Sequence, residues 1–423
     1  MAARIRIALR GFASASAAAV IGLAATVSAK ADEPIRIGFG MSLTGPLAAN
    51  GKSALLAQKI WEEDVNAKGG LLGRPVKLIY YDDQSNPSTV PGIYTKLLEV
   101  DKVDLVVGGY ATNMVAPALP VMMQKKKLFI GLLALAVNKH FNYPLYFSVT
   151  PTGGPKPEES FSEVFFDIAM QQTPKPQTLA VVGADAEFPR NASDGVRSVA
   201  GRHGLKIVYD HFYPPATADF APIVRAVAAT NPDIVCVLSY PLDTAGMVRA
   251  INEIGYRPKM LGCGMVGLQA TALKRQLGPL LNGIVNYDFW VPAPTMRFPG
   301  VLELIERYQP RAGSEGVDPL GYYMAPWGYT QLQILGQAIE ATKSLEDAKL
   351  ADYMRSATFT TVVGDIKFGA NGELAKPLVV AVQFHDIKSG DLQPFKDLSV
   401  VTIVGPKEYK TGDVIYPYER AKK

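Results

Sequence analysis

Thr112 and Asn113 are the residues of this 423-residue chain whose type and place could do chemistry. The β-favouring run Leu105-Val106-Val107-Gly108-Gly109 stops just before them, and helical spacing runs from Thr112 to Met123. They therefore fall at a strand-to-helix junction, where free backbone N–H groups and the helix dipole favour an anion. The competing reading is a plain helix cap, since Thr and Asn are favoured there in any case. The side chains that could close around such an anion are apolar or aromatic: Phe188 and Tyr240, with Tyr110, Trp290, Tyr323 and Met324 as further walls. Aromatic rings stack on flat ligands at small entropic cost; for Trp290 and Met324, core packing is an equal alternative. Arg190 has the fork to clamp a carboxylate, or else is a solvated helix residue. Asn50 could hydrogen-bond a ligand or shape a turn.

Reactive chemistry finds little support. Gly38-Phe39-Gly40-Met41-Ser42-Leu43-Thr44-Gly45 misses the GxGxxG spacing of a dinucleotide turn, and no GxSxG or GxxxxGK[ST] segment occurs. No nucleophile stands beside a plausible His base. The four His do not cluster, and there is no HExxH or CxxC, so neither a metal nor a cofactor is expected.

The elements that must position these residues follow from periodicity. Ile35 to Gly40, Val76 to Tyr81, Leu105 to Gly109, Leu128 to Gly131 and Leu145 to Thr150 read as strands with helices between them. A second run has strands at Thr178 to Gly183, Leu205 to Tyr209, Ile234 to Tyr240, Met260 to Gly264 and Ile284 to Trp290. Its helices are Asn191 to Arg202, Phe220 to Ala229 and Thr244 to Ile254. Alternation of this kind predicts an α/β fold of two doubly wound parallel-sheet lobes. The Pro/Gly-rich stretch from Pro151 to Pro157 and the prolines 292, 294 and 299 mark crossovers between lobes. The helix Tyr329 to Thr342 carries an apolar stripe that is core. Val362 to Phe368 and Val379 to His385 read as late strands, and a polar tail follows from Lys407. Ligands of open α/β sheets bind beyond the carboxyl ends of the strands. The loops Leu43 to Gly51, Tyr110 to Asn113, Leu132 to Ala136, Asp185 to Arg190, Tyr240 to Asp243, Gly264 to Val266 and Asp288 to Trp290 would then share one cleft.

One stretch is more specific. Asn66-Ala67-Lys68-Gly69-Gly70-Leu71-Leu72-Gly73-Arg74-Pro75, a strand, then Asp82-Asp83-Gln84-Ser85-Asn86-Pro87, preceded by Ser42-Leu43-Thr44-Gly45-Pro46, resembles the N-terminal lobe of type I periplasmic binding proteins. Within those it is similar to the branched-chain amino-acid-binding family of ABC importers, and the similarity continues more weakly over nearly the whole chain after residue 31. The resemblance implies a hinge with three crossings, a small-molecule ligand held by hinge closure, and an ABC permease in the inner membrane as partner. It implies lobes at 32–149 with 292–360 and at 150–291 with 361–423. It also implies that Thr112 holds a ligand carboxylate, with Ala134, Leu135, Gly264 and Met265 in matching cleft loops. The chain departs from α-amino-acid binders at two of these: a Thr is replaced by Leu135, and the acidic partner of the ligand ammonium is replaced by Gly264. An ammonium buried without a counter-charge costs several kcal/mol. The expected ligand is therefore a small organic acid with an apolar or aromatic body, unless Asp243 supplies the missing charge and admits a hydrophobic amino acid or amide. A ligand-sensing module for a receptor is the alternative from another class.

Residues 1–31 read as an export signal: Arg4, Arg6 and Arg10 precede a small apolar stretch, and Ala29-Lys30-Ala31 offers a cleavage site. The expected protein is periplasmic and a monomer. Formal charge is +4, and the leader holds four of the basic residues, which argues against a nucleic-acid partner. Lys125-Lys126-Lys127 reads as a helix terminus. Cys236 and Cys263 fall on neighbouring parallel strands with offset positions, a poor geometry for a bridge, so two free thiols are expected.

Overall fold

The computed structural model describes residues 33–422; the export signal expected at residues 1–31 lies outside the described residues. Two sheets organise them. In the first, Ile35–Met41 (β1) lies parallel between Val76–Asp82 (β2) and Leu105–Val106 (β3), and Phe129–Leu132 (β4) pairs in parallel with Tyr146–Val149 (β5). A bridge from Tyr110 to Leu132 and the bond Gly108 N to Ile130 O (2.8 Å) connect the two pieces into the order β2-β1-β3-β4-β5.

The second sheet contains Thr178–Ala184 (β6), Lys206–Tyr213 (β7), Ile234–Ser239 (β8), Met260–Met265 (β9) and Val285–Asp288 (β10), all parallel. Its parallel part runs β7-β6-β8-β9-β10, the same winding as the first sheet. The hairpin Thr358–Thr361 (β11) with Gly364–Lys367 (β12) packs near the helices Ala325–Thr342 and Asp347–Ser356. Val380–Phe384 (β13) and Val401–Gly405 (β14) then join β10 as antiparallel edge strands, so the second sheet is mixed at that end. The tail expected from Lys407 packs back on this lobe: Tyr418 is buried and its N–H donates to Lys259 O at 2.8 Å.

Local chemistry explains the motif that stood out in the sequence. Gly69 and Gly70 take φ of +96° and +81°, which ends the helix Ala48–Ala67. Gly70 also lies against the Arg74 carbonyl, where a Cβ has no room. The Asn66 side chain then brackets Val76, accepting from its N–H at 2.7 Å and donating to its carbonyl at 2.9 Å, which starts β2 in register. At the far end of β2 the two carboxylates tie down the loop after β1. Asp82 accepts from Leu43 N and Asp83 from Ser42 Oγ, at 3.0 and 2.7 Å.

Three expectations are corrected. The strand expected over Leu105 to Gly109 ends at Val106, since Gly109 lies against the Gly40 carbonyl where a side chain has no space. The helix expected from Thr112 to Met123 is broken into Thr112–Val115, a 3-10 turn Ala116–Ala118, and Leu119–Lys125, because Pro117 and Pro120 each remove a backbone donor. Cys236 and Cys263 form a disulfide, Cα–Cα 5.1 Å, rather than two thiols. Neighbouring residues of a regular strand point to opposite faces, but Gly262 and Cys263 have φ of +147° and +91°. The expected offset is present, since Cys236 pairs with Gly262, but the irregular backbone at 262 and 263 departs from the regular strand that the offset argument assumed.

Candidate functional site

Both sheets reverse their winding beside their first strand, between β1 and β3 and between β6 and β8, and the loops at the carboxyl ends there face each other. Between them lies a cavity of about 20 Å³, room for about one water. Its wall from the first lobe is Tyr110, Ala111, Thr112, Leu133 and Leu135. The crossing after β5 adds Thr150 and Thr152, and Tyr323 stands just before the helix Ala325–Thr342. The second lobe supplies Phe161, Phe188, Tyr240, Val266, Tyr287 and Phe289.

The rings form a continuous cage. Phe161 meets Phe188 edge-on at 5.6 Å and Tyr287 at 4.8 Å; Phe188 meets Tyr240 at 5.7 Å; Phe289 stacks on Tyr323 at 5.6 Å. Seven lining residues bear hydroxyls and none bears a charge. Burial pushes the Tyr110 phenol up to about 12 and those of Tyr240, Tyr287 and Tyr323 well above their ordinary value, so all four stay protonated. Asn50, on the helix Ala48–Ala67, donates to the Tyr110 hydroxyl at 2.8 Å and fixes that ring; the Tyr287 and Tyr323 hydroxyls lie 3.2 Å apart. Ala111, Leu133 and Ala136 have positive φ without being glycine. Such conformations cost about 1 kcal/mol or more each and cluster where a fold must aim particular groups.

Thr112 accepts from Leu135 N at 3.0 Å, joining two loops of the first lobe and leaving its own proton free. The helix behind it is only Thr112–Val115, so the dipole argued from the sequence is short. The lobes touch directly. Asn113 Oδ1 accepts from the Tyr240 hydroxyl at 2.7 Å and from Phe188 N at 3.3 Å, Asn191 Nδ2 donates to Leu135 O at 2.9 Å, and Lys139 pairs with Glu158 at 2.8 Å.

Of the residues singled out in the sequence, Tyr110, Thr112, Leu135, Phe188, Tyr240 and Tyr323 line this cavity. The others stand elsewhere. Asn113 lines an outer groove of about 390 Å³ at the mouth of the cleft. Asn50 and Met324 border a closed space behind Tyr323. Ala134 and Met265 are fully buried behind the wall. Trp290 is core: its Nε1 donates to Met296 O at 2.9 Å and its ring meets Tyr322. Arg190 is exposed and pairs with Asp185 at 2.5 Å, so it clamps nothing in the cleft. Asp243 lines the outer groove, accepts from the Tyr213 hydroxyl at 3.3 Å, and has its carboxyl raised by burial; it does not reach the cavity.

Gly264 is instructive. A Cβ there would meet the Leu238 side chain and lie 3.0 Å from the Phe161 ring. The space beside Gly264 is filled by Leu238 and the Phe161 ring, which leaves no room for a side chain there. Phe161, Tyr287, Thr150 and Thr152 were missed by sequence reasoning, which reached Phe289 only as part of the Asp288 to Trp290 loop. Phe161 lies on the helix Pro157–Met170, where an apolar residue reads as core, and Tyr287 stood inside a segment read as strand. Among the described residues no group of three or more His, Cys, Asp or Glu is placed to hold a metal, and no helix is long and apolar enough to cross a membrane.

Comparison with known proteins identifies the family and the fold. The profile of the family described as periplasmic binding protein matches residues 34–386. The Leu/Ile/Val-binding protein homolog 8 of Brucella abortus (strain 2308) is 24% identical over 387 residues, covering 88% of this chain and 94% of the relative. Among solved structures, a leucine binding protein from Thermotoga maritima MSB8 superimposes with TM-score 0.71 at 19% identity, covering 84% of this chain and 96% of that one. An ABC-transporter solute binding protein from R. palustris in complex with 4-hydroxybenzoate gives TM-score 0.69 at 17% identity, covering 84% and 94%.

Proposed function

The chain belongs to the periplasmic binding protein family, and from that premise we propose that it is the soluble, periplasmic substrate-binding component of an ABC importer, taking a small aromatic or otherwise apolar carboxylate rather than a standard α-amino acid. One observation carries the choice of ligand. The inner cavity is lined by rings, hydroxyls and aliphatic side chains with no charged side chain, and Leu238 and Phe161 crowd the position of Gly264, where the resembled amino-acid binders carry the ammonium's counter-charge. An α-amino acid would bury its ammonium unpaired, at a cost of several kcal/mol. A carboxylate can instead be held by neutral donors, which favour its ionised form. The 4-hydroxybenzoate held by the R. palustris neighbour is a ligand of this chemistry.

The mechanism is hinge closure. The cavity is too small for an aromatic ring, so the ligand enters when the lobes part about the crossings and the bonds of Asn113 and Asn191 are open. A ligand touching both lobes binds the closed form more tightly, and closure follows from that difference. The closed monomer then docks the permease. In this scheme the lobes are residues 32–149 with 292–360 and residues 150–291 with 361–423. The proposed role is binding rather than turnover, in keeping with the family to which the chain belongs.

A thermal-shift screen of the mature protein tests this, because a ligand selective for the folded state raises the melting temperature by mass action. Aromatic acids raise it and leucine, isoleucine and valine do not. A strong shift with leucine and none with aromatic acids would refute the ligand assignment.

A further inference from the structure

Thr152 is the hydroxyl of the inner cavity that the fold itself does not use. It lies on the crossing after β5, fully buried, and its Oγ1 has no hydrogen-bond partner among the described residues. Thr150, two residues earlier, is satisfied: its Oγ1 accepts from Ala134 N at 2.7 Å and lies 2.8 Å from Ser148 Oγ. A buried hydroxyl left unpaired carries its full desolvation penalty, and a valine of the same shape would avoid it.

Thr152 also borders the same small space as Thr112, about 20 Å³ in volume. Thr112 Oγ1 already accepts from Leu135 N, so its proton is the part left to offer. Thr152 has its proton and both lone pairs available. Two hydroxyl-bearing residues with free protons on the wall of one small volume supply the donors an oxygen anion needs.

We propose that Thr152 binds the ligand directly, its hydroxyl donating to the carboxylate beside that of Thr112. This deepens, and rests on, the reading of the cleft as an organic-acid site. It also narrows the class. With neutral donors alone around the carboxylate and no charged side chain elsewhere in the lining, the site takes a monoanion. A second carboxylate or an ammonium finds no counter-charge and is rejected.

The test uses the whole mature protein and three probes: benzoate, 3-phenylpropionate and terephthalate. Thr152→Val removes the hydroxyl and keeps the shape; Thr152→Ser keeps the hydroxyl. In titration calorimetry the valine variant binds benzoate or 3-phenylpropionate about tenfold or more weakly, the loss typical of a hydrogen bond to a charged group, and the serine variant stays near wild type. Terephthalate binds at least tenfold more weakly than benzoate. The ligand-free valine variant melts at or above the wild-type temperature, because an unpaired hydroxyl has gone. Wild-type affinity in Thr152→Val overturns the proposal alone, and so does a lowered ligand-free melting temperature that Thr152→Ser does not share. Terephthalate bound as well as benzoate overturns the monoanion class. A wild type that binds none of the acids overturns the organic-acid reading, and this proposal with it.

Discussion

Asn113 Oδ1 receives the Tyr240 hydroxyl at 2.7 Å and thereby joins the loop after β3 in one lobe to the loop after β8 in the other. The same oxygen takes Phe188 N at 3.3 Å, so one side chain of the first lobe holds two groups of the second. Tyr240→Phe keeps the ring and removes the stronger contact. A neutral hydrogen bond is worth about 1 kcal/mol net, and the closed form should lose roughly that much, about a fivefold shift toward open. Small-angle scattering of the ligand-free protein checks this through a larger radius of gyration, and titration calorimetry through a ligand affinity lower by a similar factor.

Glu373 gives a pH dependence. It lies on the crossing that follows the β11–β12 hairpin, where Gly153 bridges to Leu374 and Ser148 N donates to Gly372 O. It is fully buried, and neither carboxylate oxygen has a hydrogen-bond partner among the described residues. Burial pushes the carboxyl from the ordinary 4.5 up to about 8; nearby Ser148 pulls the other way, and Glu158 adds to the rise. Because the folded value is the higher one, the unfolded chain loses this proton first. The stabilisation is whole below pH 4.5 and is lost as pH rises towards 8. Glu373→Gln cannot ionise. Its melting temperature should match wild type near pH 4.5 and exceed it increasingly up to pH 8, by on the order of a few kcal/mol of stability. Thermal melts across that range check it; parallel curves would contradict it.

Gly264, Leu238 and Phe161 act as one packing unit. A methyl group added at 264 meets Leu238 and the Phe161 ring, and overpacking of this kind costs about 1–3 kcal/mol. Gly264→Ala should lower the melting point, and Leu238→Val in the same chain, which removes the closest clash, should recover part of the loss. Double-mutant thermal melts measure that coupling.

The disulfide between Cys236 and Cys263 closes a loop with a sequence separation of 27. Chain-entropy arguments give about 3–4 kcal/mol for a loop of that length. A Cys236→Ser/Cys263→Ser double variant should melt several degrees lower, and a reducing agent should lower the wild-type melting point but not that of the variant.

The fold was legible because its signals are local. Strand and helix alternation, the glycine pair at 69–70 and the acidic pair at 82–83 each act within a few residues, and each has its partner nearby in the structure. The cavity was legible mainly where a loop at a strand end pointed to it, as with Tyr110, Thr112, Phe188 and Tyr240; Tyr323 was named as a further aromatic wall. Phe161 and Thr152 stayed hidden. One looks like core on an amphipathic helix and the other like a crossover residue, and only the meeting of distant segments puts both in one wall. The disulfide was missed because positive φ at Cys263 is a tertiary outcome. Trp290 and Arg190 show the reverse error, since residue types suited to a site were used by the core and by a surface ion pair.

Titration calorimetry with 3-phenylpropionate and L-phenylalanine tests the central claim most directly, because the two ligands differ by a single ammonium group. A cleft of rings and hydroxyls without a counter-charge should bind 3-phenylpropionate at least a hundredfold more tightly, the equivalent of about 3 kcal/mol. Equal or tighter binding of L-phenylalanine would contradict it.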